Sequence, residues 1–529
     1  MLRDRLIPYR RWMVLLLCLL AMVLAGAGPS SAPTTVAATH PSTNPLTRMA
    51  KQMAERQKHR QLLNLTRRSI DLLQAKKYSE AERVLHEALE IDPREPTNLY
   101  NMACLMSLTH RPDEAFVYLD RSASAGFTDF IHIGKDSDLN SLHADPRYAA
   151  FLAKENEYQL KAAQEAVKNL KEQFGADYLY EIDDTDKLIF ATNTDQATLD
   201  DLKHNLLRQA HAQWAMLFEH HPDQYIEVVV PSVRDYRKLV SMPGVEGYYN
   251  QLDRTLIASG LGFVTTHEFT HALHAADLEQ LGQEHPIWLV EGLAVLFENT
   301  EWEKGPDGVE ILAPRDNMRL RDLQRSARLK DLIPLPRLLK MEQKEFVEPQ
   351  NAMLCYAESG SVMHYLYDKG LLRKFYDTFK QTYSQDKTAK LALEKVTGKS
   401  LDDFQKDWQA WMIKRVPPIL HAPENGPYMG LVFGHANDGV LISKLEAIGP
   451  ARRAGLRVGD VLVGLDDKET RDEPTFSEIL NSHKPGDTVT LKLRRDGNYM
   501  QISMILGRWN DPRVGGATRP VSHSRELVQ

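Results

Sequence analysis

The sequence predicts a multidomain chain in which an α-helical repeat region, an α+β domain and a mainly-β domain follow one another. Three observations predict it. Small and apolar residues recur with a spacing of 34 near the N-terminus, β-rich runs alternate with helical patterns around "HEFTHALH" (267–274), and the C-terminal part breaks into short strands separated by Gly and Pro turns. A length of 529 residues accommodates three or four domains, at about 150 residues each.

The first residues lie outside that fold. "MLRDRLIPYRRW" carries Arg3, Arg5, Arg10 and Arg11, and the apolar run "MVLLLCLLAMVLAGA" ends in an A-x-A pattern at Ala25, Gly26 and Ala27. This reads as a secretory signal over 1–27, with an uncleaved anchor tethering the chain to a membrane as the alternative. The run is shorter than the roughly 20 apolar residues a spanning helix needs. Leu17 before Cys18 argues against a lipid-modified cysteine. The chain is therefore expected to be exported, to the periplasm or the cell exterior. Loss of four arginines and one aspartate with the segment takes the formal charge from -7 to -10, which excludes nucleic acid as a partner. Cys104 and Cys355 then remain, in different expected domains, and no disulfide is expected.

Residues 28–57 begin rich in Thr, Pro and Ser and read as a linker. Over 58–158, Ala81, Leu85 and Ala88 recur as Ala115, Leu119 and Ser122, and Pro93 follows a helix. That pattern resembles the tetratricopeptide repeat, although the first unit lacks the usual aromatic and Gly in its opening helix. Two units are few to stand alone, so "DSDLNSLHADPRYAAFLAKENEY" is expected to cap them. A connecting helix is expected over 159–185. The α+β domain follows over 186–416, with "KLIFATNT" and "YIEVVVPS" as strands flanking a helical pattern, and "YYNQLDRTLIASG" as a further strand.

On a helix His267 and His271 lie one turn apart and face the same way, so their imidazoles converge on one cation with Glu268 beside them. Nineteen residues separate His271 from Glu291, room for the first helix to end and a second to return, with Glu291 facing the His pair. A catalytic zinc takes three protein ligands and keeps a position for water. HExxH followed by this Glu within "WLVEGLAVLFE" looks like the gluzincin metallopeptidases, and the run from "IEVVVP" to "DWQAWM" is similar to peptidase MA-like domains of bacteria. The resemblance implies one zinc ion per chain, held by His267, His271 and Glu291, with Glu268 as general base.

Thermolysin-like members place an Asp one turn beyond the third ligand to orient the first His; Val295 stands there, and Glu298 is the alternative. His274 is expected near the metal but outside its ligands, or at the surface, and His285 in a loop. Gluzincins stabilise the oxyanion with a Tyr or His from a later helix, and "YAESGSVMHYLYDKG" offers Tyr356, His364 and Tyr365, with Tyr356 the best match to the "YxxS" helix of peptidase MA-like proteins. Residues 254–259 are expected at the cleft rim, pairing with an extended substrate. The aminopeptidase G-x-M-E-N element is missing, which favours an endopeptidase.

"YMGLVFG", "DGVLISKLEAIGPARRAGLRVGDVLVGLDD" and "HKPGDTVTLKLRRDGNYMQISMIL" are similar, in order, to a PDZ domain over 424–508. The resemblance implies that Met429, Gly430 and Leu431 capture a peptide terminus through backbone N–H groups. A polar tail, 509–529, ends in "RELVQ", a possible ligand for that groove within the same chain. The expected function is an exported zinc metallopeptidase whose repeats and PDZ domain recruit or position protein substrates. The alternative is a catalytically silent metal-binding scaffold or sensor.

Overall fold

The computed structural model describes residues 45–240, 245–305, 308–317, 319–416, 426–436, 439–446, 448–466, 468–470, 473–495 and 498–508, with Cys18 and Leu19. The signal segment apart from those two residues, the linker up to residue 44 and the tail 509–529 lie outside the described residues. The linker ends earlier than expected, because helix α1 spans Pro45–Gln74. Its opening stretch is poor in large apolar residues but rich in Met, Ala, Lys, Gln, Glu and Arg, which favour a helix without burial.

Proline and polar caps divide the helices that follow. α2 spans Tyr78–Ile91, α3 Pro96–Leu108 and α4 Pro112–Ala125, the last two with Pro at the start. The Glu95 carboxylate accepts from the Asn98 N–H, and Gly126, left-handed at φ 113, ends α4. Ala81, Leu85, Ala88, Ala115, Leu119 and Ser122 are all buried, so the residues spaced by 34 line the seams between helices. After α5 (Phe130–Lys135), a short 3-10 turn and α6 (Pro146–Leu152) add Leu139, Leu142, Tyr148 and Phe151 to the same core. Tyr158 of the next helix joins that core as well and donates its hydroxyl to Asp120 of α4.

The next helix is a layer of the following domain and only partly a connector. α7 spans Glu155–Phe174, stops at Gly175, and is followed by β1 (Leu179–Asp183) inside the expected connecting helix 159–185. Ala163 and Leu170 of α7 pack on Ile189, Ala191, Val229 and Ile257 of the sheet. The domain therefore starts before residue 186. The reason is visible in "DYLYEID", whose Tyr, Leu and Ile suit a pleated surface once Gly175 has broken the helix.

The sheet continues with β2 (Leu188–Thr192), crosses over through α8 (Gln196–Met216) to β3 (Ile226–Val230), and after α9 (Val233–Leu239) gains β4 (Val245–Asn250) and β5 (Thr255–Ala258). Its order is β4-β5-β3-β2-β1, with β2, β3 and β5 parallel, β1 and β4 antiparallel, and Cys18–Leu19 paired along the outer side of β4. The expected single strand "YYNQLDRTLIASG" is thus a hairpin. The Asn250 side chain accepts from the Leu252 N–H at 3.1 Å and donates to Asp253 at 2.8 Å, and Arg254 takes a left-handed φ of 53. Side chains alternate: Leu188, Phe190, Val228 and Leu256 face the main core, opposite α7.

That core holds the helices carrying the site. α10 spans Phe263–Leu281 and α11 Ile287–Glu298; the hairpin β6 (Thr300–Lys304) and β7 (Glu310–Pro314) leads to α12 (Arg319–Leu329). Short α13 (Leu335–Leu338) and α14 (Gln343–Phe346) precede α15 (Ala352–Asp368), α16 (Leu372–Thr382), α17 (Lys390–Thr397) and α18 (Leu401–Lys414). α11 and α15 cross at two glycines, Gly292 against the Ser359 carbonyl and Gly360 against Val295. Trp288, Phe297, Phe375 and Trp408 are wholly buried around them, each contributing about 1.5–3 kcal/mol or more by leaving water.

The C-terminal domain has its own core of Met429, Ile442, Leu462, Phe476 and Leu491. β8 (Pro427–Tyr428), β9 (Leu431–Ala436) and β10 (Gly439–Leu445) lead through α19 (Pro450–Arg453) to β11 (Val461–Leu465) and β12 (Lys468–Glu469). α20 (Glu473–Asn481), β13 (Thr488–Arg495), β14 (Asn498–Ile505) and β15 (Gly507–Arg508) complete it. The sheet order is β9-β10-β11-β13-β14. Cys104 and Cys355 are buried thiols in separate cores. Among the described residues, no helix is long and apolar enough to cross a membrane.

Candidate metal centre

Helical spacing sets the first two side chains. His267 and His271 sit one turn apart on α10, and Pro286 starts α11 so that Glu291 returns opposite them. Glu291 Oε2 lies 3.3 Å from Nε2 of His267 and 3.3 Å from Nε2 of His271. One ligand atom from each of the three residues falls within 4.8 Å of the others. Burial alone would raise the Glu291 carboxyl, but the charges and hydrogen bonds of His271 and His267 outweigh it and hold it at about 2. Two imidazole nitrogens and one carboxylate oxygen are a donor set that fits zinc, and three protein ligands leave a coordination position over.

A carboxylate orients the first histidine. His267 Nδ1 is 2.8 Å from Glu298 Oε2, and because a carboxylate only accepts, Nδ1 is the donor there and Nε2 is the nitrogen turned towards Glu291, the one that would ligate a metal once free of its proton. Glu298 Oε1 accepts from Arg319 and, at 3.3 Å, from Asn317 Nδ2. Val295, one turn beyond Glu291, packs on Gly360 instead.

Glu268 is buried beside the pair, on the side where β4 passes. A β-carbon at Gly247 would meet Val264 Cγ1 at 2.7 Å and Glu268 Cγ at 2.9 Å, so the strand approaches this closely only because residue 247 has no side chain. This corrects the expected rim. β5 uses both edges of its backbone, pairing with β3 and β4, whereas β4 is the strand laid across Glu268. Residues 254–259 therefore have no edge to offer a substrate.

Tyr356 lies in the second turn of α15, its ring 6.3 Å from that of His267 and edge-on to Phe346 at 5.2 Å. The other two residues of that stretch turn elsewhere. His364 Nδ1 stands 3.5 Å from Asp316, and Tyr365 packs on Phe404 and Trp411. His274 is buried and lies outside the group formed by His267, His271 and Glu291; its Nε2 is 3.0 Å from His285 Nδ1, and His285 Nε2 is 3.1 Å from Gln283. Burial pushes His274 down to about 3 and His285 well below the usual histidine range, so both are neutral. His285 does lie in a loop, but a buried one.

A second group, Cys104, Asp136 and Asp138, also brings its ligand atoms together. There Asp136 caps the Asp138 N–H and accepts from the Tyr100 hydroxyl at 2.7 Å and the Cys104 thiol at 3.6 Å, a local hydrogen-bonded knot in the helical stack.

In the C-terminal domain the Met429 carbonyl accepts from the Ala451 N–H and the Gly430 carbonyl from Glu446. Gly430 has φ +76, and Leu431 opens β9 opposite Leu445. Phe433 of β9 meets Phe476 of α20 edge-on at 5.2 Å.

Residues 427–506 match the family described as PDZ domain. This part of the chain is a PDZ domain. Residues 263–387, with the whole His/Glu cluster, match a family described as "Protein of unknown function (DUF1570)". The "Probable periplasmic serine endoprotease DegP-like" of Halomonas elongata is 32% identical over 77 residues, 15% of this chain and 16% of that protein. The "Serine protease Do-like HtrA" of Lactobacillus helveticus is 35% identical over 92 residues, 17% and 22% of the two chains. The chain therefore spans about a fifth or less of the length of these relatives. Among solved structures, a serine endoprotease from Yersinia pestis is 19% identical, with 20% of this chain and 36% of that one covered and a TM-score of 0.15. The HtrA3 PDZ domain bound to a phage-derived ligand is 16% identical, with 16% and 86% covered and a TM-score of 0.14.

Sequence reasoning missed Arg319, Asn317 and Gly247, each far along the chain from the residue it touches. It also missed Asp277, which accepts from the His220 ring at 2.7 Å and the Tyr376 hydroxyl at 2.7 Å and fixes α10 to α16. An Asp inside the apolar stretch "HALHAADLEQ" was the available signal.

Proposed function

We propose that the chain is an exported zinc-dependent metallopeptidase of the gluzincin type, with tetratricopeptide-like repeats and a PDZ domain that recruit or position protein substrates. The observation that carries this reading is the approach of Glu291 Oε2 to 3.3 Å from both histidine Nε2 atoms. The ion, when bound, polarises a substrate carbonyl and acidifies a water. His267, His271 and Glu291 hold it, one ion per chain. Glu268 stays off the metal and takes the proton at its carboxylate, and Tyr356 donates its O–H to the oxyanion.

The PDZ domain takes peptide ends through Met429, Gly430 and Leu431. Its relatives' names support a proteolytic setting and export. The family match for that domain ends at 427–506, and the serine chemistry in those names stays with the relatives.

A second reading is a silent metal-binding scaffold or sensor. Its support is the burial of the cluster, with His267, Glu268 and Glu291 at 1% exposure and His271 at 4%. Metal analysis of the purified protein, combined with profiling of cleavage across a proteome-derived peptide library, separates the two. Zinc at one per chain with cleavage supports the peptidase, zinc without cleavage supports the scaffold, and no metal removes both.

A further inference from the structure

Glu298 is almost wholly enclosed, at 2% side-chain exposure, yet both of its oxygens are engaged. Oε2 receives the Nδ1–H of His267, and Oε1 receives Arg319 and Asn317. Arg319 comes from the start of α12, on the far side of the β6/β7 hairpin from Glu298, and its side chain is 19% exposed. Its approach is fixed locally. The Arg319 N–H donates to Asn317 Oδ1 at 3.0 Å, the Arg315 N–H donates to the Asn299 carbonyl at 2.8 Å, and Asn299 Nδ2 reaches the carbonyls of Arg315 and Asp316 at 3.3 Å. The residue after Glu298 thus ties down the chain that delivers the guanidinium to Glu298.

We propose that Arg319 is a positioning residue for the metal centre, holding the Glu298 carboxylate so that it fixes the ring orientation of His267. This rests on the reading that His267, His271 and Glu291 hold a divalent ion. A carboxylate buried without a cation is strongly disfavoured, so removal of the guanidinium makes Glu298 swing or draw in water, and the His267 ring loses its fixed angle. Lysine supplies the charge as a point donor without the planar fork of arginine. Nothing in the local sequence announces this link, because twenty residues separate Glu298 from Arg319.

The test uses the full chain with Zn2+ and Co2+ as probes, and reads ion affinity by chelator competition, the visible spectrum of the Co2+ form and the melting of the metal-free protein. Arg319→Met should weaken Zn2+ binding about ten- to a hundredfold and alter the Co2+ spectrum. Arg319→Lys should recover most of both, and Glu298→Gln should reproduce the Arg319→Met spectrum. Wild-type affinity and spectrum in Arg319→Met overturn the proposal, as does a weakened Arg319→Met with no recovery in Arg319→Lys when both metal-free proteins melt like wild type. If Arg319→Met does not fold, Arg319→Gln, which keeps a hydrogen-bonding side chain but no charge, takes its place, and wild-type affinity and spectrum in Arg319→Gln overturn the proposal. If wild type itself takes up neither ion, the metal reading fails and the proposal with it, an outcome distinct from a wild type that binds and a variant that binds equally well.

Discussion

Gly360 of α15 lies so close to Val295 of α11 that a β-carbon on it would stand 2.2 Å from Val295 Cγ1 and 2.8 Å from Val295 Cβ. Valine is short and stiff, so the two helices must part to admit even a methyl group. Glu291 is on one of them and Tyr356 on the other. Gly360→Ala should therefore lower the stability of this domain by about 1–3 kcal/mol and weaken metal binding. Combining it with Val295→Ala should return much of the loss, a coupling readable as a double-mutant cycle in thermal or denaturant unfolding.

Glu268 and Glu291 should fail differently when neutralised. Glu268→Gln keeps shape and hydrogen bonding, so zinc content and melting should stay near wild type while turnover drops by roughly two to four orders of magnitude. Glu291→Gln offers the ion a neutral, weaker ligand, and zinc should be lost together with activity. Metal analysis beside peptide hydrolysis reads both; identical behaviour of wild type and Glu268→Gln in every assay would leave the scaffold reading in place.

Tyr356→Phe removes one hydroxyl from a ring packed between Phe346 and His267. Turnover should fall by about ten- to a thousandfold with little change in zinc content. Unchanged turnover removes Tyr356 from the mechanism.

Glu358 gives a pH dependence of stability that is independent of the metal. One oxygen accepts from the Ile333 N–H at 2.7 Å, and burial pushes the carboxyl up to about 8. The folded state thus holds a proton that the unfolded chain releases near pH 4.3, so this contribution is fully present below about pH 4.3 and is lost as pH rises through about 8. Glu358→Gln keeps an acceptor for Ile333 and cannot ionise. Relative to wild type it should gain stability steadily over that window, by an amount on the order of a few kcal/mol, in denaturant titrations at pH 5, 7 and 9.

The elements legible in the sequence are those fixed by short-range geometry. A pair of histidines at i and i+4 shares a helix face whatever surrounds it, and Pro286 sets where the returning helix begins. The strand "LYEID" was hidden because a charged helix runs almost up to it, and Gly175 alone marks the break. The hairpin of β4 and β5 was hidden because its turn has no Gly or Pro and relies on Asn250, Asp253 and a left-handed Arg254. Glu298 was the candidate for orienting His267, with Val295 standing where an Asp was expected, and only the side chains brought by α12 show what holds its second oxygen.

The packing of α7 on the sheet has a practical meaning for anyone dividing the protein. A fragment cut at residue 186 would lack β1 and that helix, and Ile189, Ala191, Val229 and Ile257 would face water beside an uncovered strand edge. Such a piece would be expected to come out of cells as insoluble material, whereas one beginning near Lys154 keeps both coverings and is the smaller unit to express, crystallise or screen for inhibitors.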